Sequence, residues 1–170
     1  MKKALFLDRD GILNEVVIRG TTVSSPRSIA EFKVIPNARA IVESVRNKGY
    51  YVVIVTNQPD VSRGLLRSED LDAMHGSLRG AVPVDEIRFC LSADDNDPRR
   101  KPNPGMILES VKDNDLSVGN SFFLGDSEKD IQAGRRAGVK TVLLQTKYNV
   151  RLHGQADHNI NSLEEILNLL

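Results

Sequence analysis

The sequence has few of the features that mark secreted, membrane-bound or nucleic-acid-binding proteins. Its single cysteine, Cys90, excludes an internal disulfide bond and is typical of a protein of the reducing cytoplasm. The 23 lysine and arginine residues balance 23 aspartate and glutamate residues, so no net charge attracts nucleic acid or an anionic membrane. No apolar run approaches the ~20 residues that span a bilayer, and the first run ends at Asp8, too early for a secretory signal. We therefore expect a cytoplasmic protein without nucleic-acid or membrane partners.

Internal repeats, low-complexity segments and interdomain linkers are also missing. A chain of 170 residues is long enough to bury about two-thirds of its unfolded surface in one domain. We therefore expect a single domain over residues 1–170. Within it, the stretch at about residues 12–30 is rich in Gly, Thr and Ser and predicts a loop or small hairpin flap. No insertion is large enough to form a separate cap domain.

The rest of the chain alternates between two hydrophobic patterns. Continuous apolar runs predict buried strands at residues 4–7, 51–55, 86–90, 121–125 and 140–144. Helical periodicity and capping residues predict helices at residues 38–48, 69–79, 104–114, 128–137 and 163–169. Strands that alternate with helices form a parallel sheet through right-handed crossovers. We therefore expect an α/β fold, a Rossmann-like three-layer α/β/α sandwich with a parallel central sheet and a short flap.

Two carboxylates stand at the carboxyl end of the first predicted strand. Asp8 and Asp10 are two positions apart, so in an extended chain they point to the same side while Arg9 points away. Gly11 allows a sharp turn directly after them. Two like charges held together are costly unless a cation or a shared proton relieves them. A solvated turn after a hydrophobic strand is the simpler alternative for this stretch taken alone.

Other strand ends contribute a hydroxyl, an amide and a third acid. Thr56 and Asn57 follow the second predicted strand, Asp126 follows the fourth, and Lys101 lies in a loop on the same side. Ligands of such sheets bind at the carboxyl ends of the strands, which brings these residues to one edge. The arrangement predicts a Mg²⁺ site that uses the Asp8 and Asp126 carboxylates and the Asp10 carbonyl. Thr56, Asn57 and Lys101 would then bind the oxygens of a phosphoryl group.

Each of these residues also has a purely structural explanation. Thr56 could simply end a strand, Asp126 could cap the following helix, and Lys101 could belong to a solvated basic run. Asp130 could be an exposed helical acid paired with a nearby cation. The three histidines show neither nucleophile nor ligand spacing, and we expect all of them to be structural or surface residues: His75, His153 and His158.

Four motifs in order resemble those of the haloacid dehalogenase superfamily of phosphatases. They are Asp8-Arg9-Asp10-Gly11, Thr56-Asn57, Lys101, and Gly125-Asp126 with Asp130. Further segments look most like the D-glycero-D-manno-heptose 1,7-bisphosphate phosphatases and their relatives, the histidinol-phosphate phosphatases: residues 55–58, 62–64, 100–102 and 104–106. The resemblance spans roughly residues 3–145 and implies a Mg²⁺-dependent hydrolase of phosphate monoesters.

The resemblance also implies a mechanism and its residues. Asp8 would attack phosphorus and form an aspartyl-phosphate, and Asp10 would act as acid and then base. We expect Asp10 to be protonated at rest because Asp8 crowds it with like charge. Asp130 would orient Lys101 or a metal-bound water. The remaining expected contacts are to a second phosphate, to sugar hydroxyls or to the phosphoryl group, from Asn57, Gln58, Arg63 and Arg100.

Two departures from the family pattern bear on the site. Ile12 stands where a threonine usually follows the Asp-x-Asp-Gly run, which removes a hydroxyl but no acid. Many heptose bisphosphate phosphatases also carry a zinc loop before the motif lysine. Here Cys90 keeps its first position, Ser92 replaces the histidine, and Asp97 and Arg99 stand near the second cysteine pair. Such a loop lacks the four soft or imidazole ligands of structural zinc, so we predict no zinc.

Three alternatives to a heptose bisphosphate phosphatase remain open from the sequence. The first is a phosphatase of histidinol phosphate or another small phosphosugar. The second is a signalling receiver domain, which also uses a phosphorylated Asp, Mg²⁺, Thr and Lys, but places its phosphoacceptor on a later, central strand. The third is a binding domain without catalysis, which the complete set of catalytic residues disfavours. The expected partner is a small phosphosugar, and nothing in the sequence demands more than a monomer.

Overall fold

Eight strands and four α-helices make up the computed structural model, which describes residues 1–170. The strands are β1 Lys3–Leu7, β2 Val17–Arg19, β3 Thr22–Ser24, β4 Tyr50–Asn57, β5 Glu86–Cys90, β6 Phe122–Gly125, β7 Lys140–Leu144 and β8 His158–Ile160. The helices are α1 Ala38–Asn47, α2 Ser68–Ala81, α3 Gly105–Asn114 and α4 Glu128–Ala137. Six strands form one parallel sheet in the order β5-β4-β1-β6-β7-β8, and β2 and β3 form a separate antiparallel hairpin.

The central strand β1 is buried on both faces. Leu5 and Leu7 pack into one apolar cluster with residues of α1 and α2, and Phe6 packs into a second cluster with residues of α3 and α4. Because successive side chains of a strand point to opposite faces, this division places two helices on each side of the sheet. The expected three-layer α/β/α architecture is therefore confirmed.

The register of the three middle strands brings their carboxyl ends together. Leu7 of β1 is paired with Ile54 of β4 on one side and with Leu124 of β6 on the other. The polar residues that follow these positions therefore emerge side by side at one edge of the sheet. A shift of one residue in either pairing would turn their side chains to the opposite face.

The structure corrects several details of the sequence-based assignment. Strand β8 was not predicted, because three residues that pair at an edge carry too little pattern to be recognised. The last predicted helix is a 3₁₀-helix at Leu163–Asn168. Ser68 does not cap α2 but begins it. None of the helices combines the length and the apolarity that crossing a bilayer requires.

Candidate active site

Asp8 lies immediately beyond β1 with one carboxylate oxygen engaged and the other free. Oδ1 accepts hydrogen bonds from Lys101 Nζ at 2.8 Å and from the backbone N–H of Arg9 at 2.8 Å. Oδ2 accepts no hydrogen bond from the protein. Burial raises the pKa of Asp8, and the negative charge of Asp130 raises it further. The free oxygen of a partly buried, crowded carboxylate is well placed to meet a cation or an electrophile.

Lys101 reaches the same point from the loop before α3. Its ammonium donates to Asp8 Oδ1, to the Val55 carbonyl at 2.8 Å and to Asp130 Oδ1 at 2.7 Å. Burial disfavours the charged amine, but the Asp130 and Asp8 carboxylates outweigh it and raise the pKa of Lys101. Lys101 is therefore a fixed ammonium whose three donors are all used. The expectation that Asp130 orients Lys101 matches this geometry.

The turn after β6 is built around Asp130. Its Oδ2 accepts from the backbone N–H groups of Asp126 and Ser127 at 3.2 and 3.0 Å, and from the Ser127 hydroxyl at 2.7 Å. Ser127 is the N-cap of α4 and forms a capping box with Asp130, so Asp126 is not the cap. A Cβ at Gly125 would collide with the Asp130 carboxylate, which explains the glycine there.

Three acidic side chains converge at this edge of the sheet. Oxygens of Asp8, Asp126 and Asp130 all lie within 4.8 Å of one another. Burial, followed by repulsion from Asp130, raises the pKa of Asp126 to about 7. Both oxygens of Asp130 are already hydrogen-bonded, whereas Asp126 Oδ1 and the Asp10 carbonyl oxygen accept no hydrogen bond from the protein. Free oxygens on Asp126 and Asp10, together with the Asp8 carboxylate, form the set that a hard divalent cation requires.

Asp10 is held as a carboxylate, which corrects the expectation that it is protonated at rest. Burial opposes its charge, but the Arg9 guanidinium and hydrogen bonds from Asn14, Ser25 and Gln58 outweigh burial and lower the pKa of Asp10. Arg9 Nε and Nη2 both donate to Oδ1, at 3.1 and 2.9 Å. The expectation took repulsion from Asp8 as the main influence on the pKa of Asp10. The five hydrogen-bond donors around the Asp10 carboxylate instead stabilise its charged form.

Strand alternation predicts that Arg9 points away from Asp10, but its side chain turns back and donates hydrogen bonds to the Asp10 carboxylate. Its side chain is completely buried, with the guanidinium 5.4 Å from the centre of the Phe32 ring. Nη1 of Arg9 donates to Nε2 of His75 at 3.2 Å, which requires a neutral imidazole. The strand ends before Arg9, so alternation no longer governs its direction. An arginine between two aspartates was the available signal for this contact.

Acidification is expected to destabilise the protein through His75. Burial, followed by the charge of Arg9, lowers the pKa of His75 to about 4, against 6.5 in an unfolded chain. Between pH 6.5 and pH 4, His75 therefore binds a proton in the unfolded state but not in the folded state. The free energy of unfolding falls by roughly 2–3 kcal/mol as the pH falls over this range. Above pH 6.5 this contribution is fully present.

Denaturant titrations at pH 7 and pH 4.5 measure this loss. His75→Gln keeps an acceptor for Arg9 but does not titrate, so it should lose less stability than the wild type over this range. An equal loss in both proteins would show that other groups cause the acid sensitivity.

An open cavity of about 360 Å³ lies above the acidic cluster. Its floor and rim combine the acids with residues of the flap and of the loops after the strands: Asp8, Asp10, Val16, Val23, Ser24, Ser25, Asn57, Pro59, Arg100, Lys101, Asp126, Ser127 and Lys129. The flap is tied to the rest of the protein at two points. Ser25 donates to Asp10 at 2.8 Å, and Arg27 pairs with Asp60 at 2.8 Å. The hairpin therefore forms one wall of the cavity.

The residues expected to contact substrate fall into two groups. Asn57 and Arg100 line the cavity. The Asn57 amide is already paired with the backbone N–H and carbonyl of Lys101, at 3.0 and 2.9 Å, so it positions the lysine loop. Arg100 pairs with the exposed Asp95 at 3.0 Å.

Gln58 and Arg63 are not among the residues that line the cavity, and their role as substrate contacts stays a prediction. Gln58 is buried and donates to both Asp10 and Thr56 at 2.9 Å, because the chain turns inward after β4. Arg63 is half-exposed beside Asp60, and its backbone N–H donates to the carbonyl of Pro59, a lining residue, at 3.0 Å. Thr56 is buried at the end of β4, and its hydroxyl accepts the bond from Gln58.

Sequence reasoning missed several residues at this site, and three of them bear on its chemistry. Ser25 on the flap and Lys129 on the first turn of α4 line the cavity, and Tyr148 donates a hydrogen bond to Asp126. Ser25 and Tyr148 lie in no recognisable motif, and Lys129 lies between Asp126 and Asp130 without being one of the motif positions. Lys129 is the most informative, since a cation at a helix N-terminus opposes the helix dipole and gains little there structurally.

The fold and the site together define a phosphatase built on a parallel α/β/α sandwich, and comparison with known proteins agrees. Residues 98–166 match the family model described as HAD-hydrolase-like. A D-glycero-alpha-D-manno-heptose-1,7-bisphosphate 7-phosphatase of Burkholderia mallei is 35% identical over 155 residues, which covers 84% of this chain and 79% of that protein. The chain belongs to the haloacid dehalogenase superfamily of phosphatases. This membership rules out the receiver domain.

Other relatives support the same assignment over the full length. The D-glycero-beta-D-manno-heptose-1,7-bisphosphate 7-phosphatase of Pasteurella multocida is 32% identical and covers all of this chain and 97% of its own length. The crystal structure of D,D-heptose 1,7-bisphosphate phosphatase from B. bronchiseptica, complexed with magnesium and phosphate, superposes with a TM-score of 0.82. It is 28% identical, and the match covers 98% of this chain and 97% of that one.

Proposed function

We propose that this phosphatase removes the 7-phosphate of D-glycero-D-manno-heptose 1,7-bisphosphate, with Mg²⁺ as cofactor and an aspartyl-phosphate on Asp8 as intermediate. The observation that carries the proposal is the state of Asp8. One of its oxygens is fixed by a buried ammonium, and the other is free at the floor of an open polar cavity. A carboxylate held in this way can attack phosphorus without first losing a hydrogen bond.

The acidic cluster supports a Mg²⁺ cofactor. Burial raises the pKa of both Asp8 and Asp126, repulsion from Asp130 raises each of them further, and Lys101 supplies the only ammonium bonded to the cluster. Asp8, Asp126 and the Asp10 carbonyl would hold the cation. When bound, Mg²⁺ offsets the repulsion between these acids and a phosphate dianion and stabilises charge on the phosphoryl oxygens.

The protein groups divide the reaction into two halves. Asp8 Oδ2 attacks phosphorus in line, the bond to the sugar oxygen breaks, and Asp10 gives a proton to the leaving oxygen. Water then attacks the aspartyl-phosphate, and Asp10 takes its proton. Asp10 is ionised at rest, so it must gain its proton as the substrate binds; a phosphate dianion beside it raises its pKa in the required direction. Thr56 would contribute its hydroxyl hydrogen to a phosphoryl oxygen.

The rim of the cavity supports a substrate with a second anionic group. Arg100 and Lys129 both line it, and both pair with the exposed carboxylate of Asp95, at 3.0 and 3.6 Å. A second phosphate group of the substrate can take the place of the Asp95 carboxylate and form ion pairs with both Arg100 and Lys129. The names of the curated relatives favour a heptose bisphosphate over histidinol phosphate.

Removal of divalent metal is expected to abolish hydrolysis of p-nitrophenyl phosphate, and added Mg²⁺ should restore it. The reason is that Asp8 and Asp126 cannot approach a dianion with their charges uncompensated. Dialysis against a chelator followed by a Mg²⁺ titration measures this. Metal analysis of the purified protein tests the separate prediction that no stoichiometric zinc is present. Full activity in the metal-free protein would contradict the proposed cofactor.

A substrate panel tests the proposed substrate. The α and β anomers of the heptose 1,7-bisphosphate, heptose 1-phosphate, heptose 7-phosphate and histidinol phosphate are compared by kcat/KM. We expect a bisphosphate to be the best substrate, with heptose 1-phosphate as its product. Preference for histidinol phosphate would overturn the substrate assignment and leave the chemistry intact.

A further inference from the structure

Tyr148 contacts a carboxylate of the proposed cation site from outside the cavity. Its hydroxyl donates a short hydrogen bond to Oδ2 of Asp126, and no other side chain donates to this carboxylate. Oδ1 of Asp126 is left without a protein partner. Tyr148 thus occupies one oxygen of Asp126 and leaves the other for a ligand.

The loop that carries Tyr148 is fastened to the backbone of Asp126 itself. The neighbouring Asn149 is buried and donates to the Asp126 carbonyl at 2.8 Å and to the Leu144 carbonyl at 2.9 Å. Its Oδ1 accepts from the backbone N–H of Thr146 at 2.8 Å. These bonds fix the backbone of Tyr148 relative to the Asp126 carboxylate, so the contact between the two side chains is held in place by the structure around it.

Gly11 closes the remaining side of this arrangement. It has a φ of +85°, and a Cβ on it would collide with the Asp126 carboxylate and lie 2.8 Å from the Tyr148 hydroxyl. The nucleophile turn, the carboxylate and the phenol are therefore packed against one another. Rotation of the Asp126 carboxylate is restricted by Gly11 on one side and by the hydrogen bond on the other.

We propose that Tyr148 is a positioning residue for the divalent cation: its hydrogen bond to Oδ2 holds Asp126 in the orientation that directs Oδ1 to the metal. This inference rests on the Mg²⁺ site of the proposed function. Partners that orient a metal-binding carboxylate typically change metal affinity by about 10–100-fold. Tyr148 touches neither the nucleophile nor the general acid, so it should act on metal binding and leave the chemical step intact.

The test compares Mg²⁺ binding by the wild type, Tyr148→Phe and a matched control. Tyr148→Phe removes only the hydroxyl. Tyr51→Phe makes the same change at a partly buried tyrosine near the amino end of β4, where the hydroxyl forms no hydrogen bond. The amino ends of the strands lie on the side of the sheet opposite the cavity. Mg²⁺ dissociation constants are measured by calorimetry and by the Mg²⁺-dependent shift of the melting temperature. The Mg²⁺ concentration for half-maximal p-nitrophenyl phosphate hydrolysis provides an independent comparison.

We expect the dissociation constant for Mg²⁺ to rise at least about tenfold in Tyr148→Phe and to stay unchanged in Tyr51→Phe. The kcat at saturating Mg²⁺ should remain within about twofold of the wild type. Equal or tighter Mg²⁺ binding by Tyr148→Phe would overturn the positioning role while leaving the proposed function standing. Absence of Mg²⁺ binding in the wild type itself would overturn the proposed cofactor, and this inference with it.

Discussion

Asp8→Asn is expected to lower kcat for p-nitrophenyl phosphate by at least about a thousandfold, because the amide cannot form an aspartyl-phosphate. The melting temperature should change little. An amide oxygen at this position still accepts the hydrogen bond from Lys101, and the lost ion pair is offset by the removal of one crowded, partly buried charge. Steady-state hydrolysis and a thermal melt of the same preparation measure both quantities.

The control for this prediction is Asp60→Asn. Asp60 is another largely buried aspartate paired with a cation, but it lies outside the cavity lining. Its replacement removes a similar ion pair without removing a catalytic group, so we expect some loss of stability and most of the activity to remain. Turnover by Asp8→Asn at a wild-type rate would show that Asp8 is not the nucleophile.

Lys101→Met is expected to reduce both activity and stability. The Lys101 ammonium is almost completely buried and joins two carboxylates, so its removal leaves the Asp8 and Asp130 charges close together without compensation. Breaking a buried pair in this way typically costs about 3–5 kcal/mol, and a transition state that loses a fixed cation is slowed by about 10²–10³-fold. Denaturant titration and phosphatase kinetics give the two values.

Lys129→Met provides the matched control for stability. Its side chain is 46% exposed and its ammonium lies 3.6 Å from Asp95, and surface pairs of this kind contribute less than about 1 kcal/mol. A loss of stability in Lys101→Met as small as that in Lys129→Met would refute the structural part of this prediction. Retained kcat in Lys101→Met would refute the catalytic part.

Much of the fold was predictable because its signals are local. The strand at 86–90, the helix at 128–137 and the strand at 140–144 have the predicted bounds, since each combines a clear hydrophobic period with turn residues at its ends. Strand β8 and the final 3₁₀-helix were not predicted correctly, because short elements at an edge depend on pairing and packing with distant residues.

The site shows the same division. That Asp8, Lys101 and Asp126 meet was predictable from the rule that ligands bind at the carboxyl ends of parallel strands. The direction of Arg9 and the inward turn of Gln58 were not, because both side chains leave the strand geometry and follow the space left by other elements. Their donors hold Asp10 ionised, where sequence reasoning from like charges expected a proton.

By itself the sequence determined the class of fold, the order of the motifs and the acids that gather at one edge, because strand alternation and crossover handedness leave few other arrangements. Only the tertiary structure decided which partner each acid has. Asp130 is matched with Lys101, Asp10 with Arg9, and Asp126 with Tyr148, across separations of 29, 1 and 22 residues. Hydrogen bonds act over about 3 Å, so Lys101 and Tyr148 reach their acids only after the chain has folded, and the packing around the buried Arg9 side chain turns it towards the neighbouring Asp10.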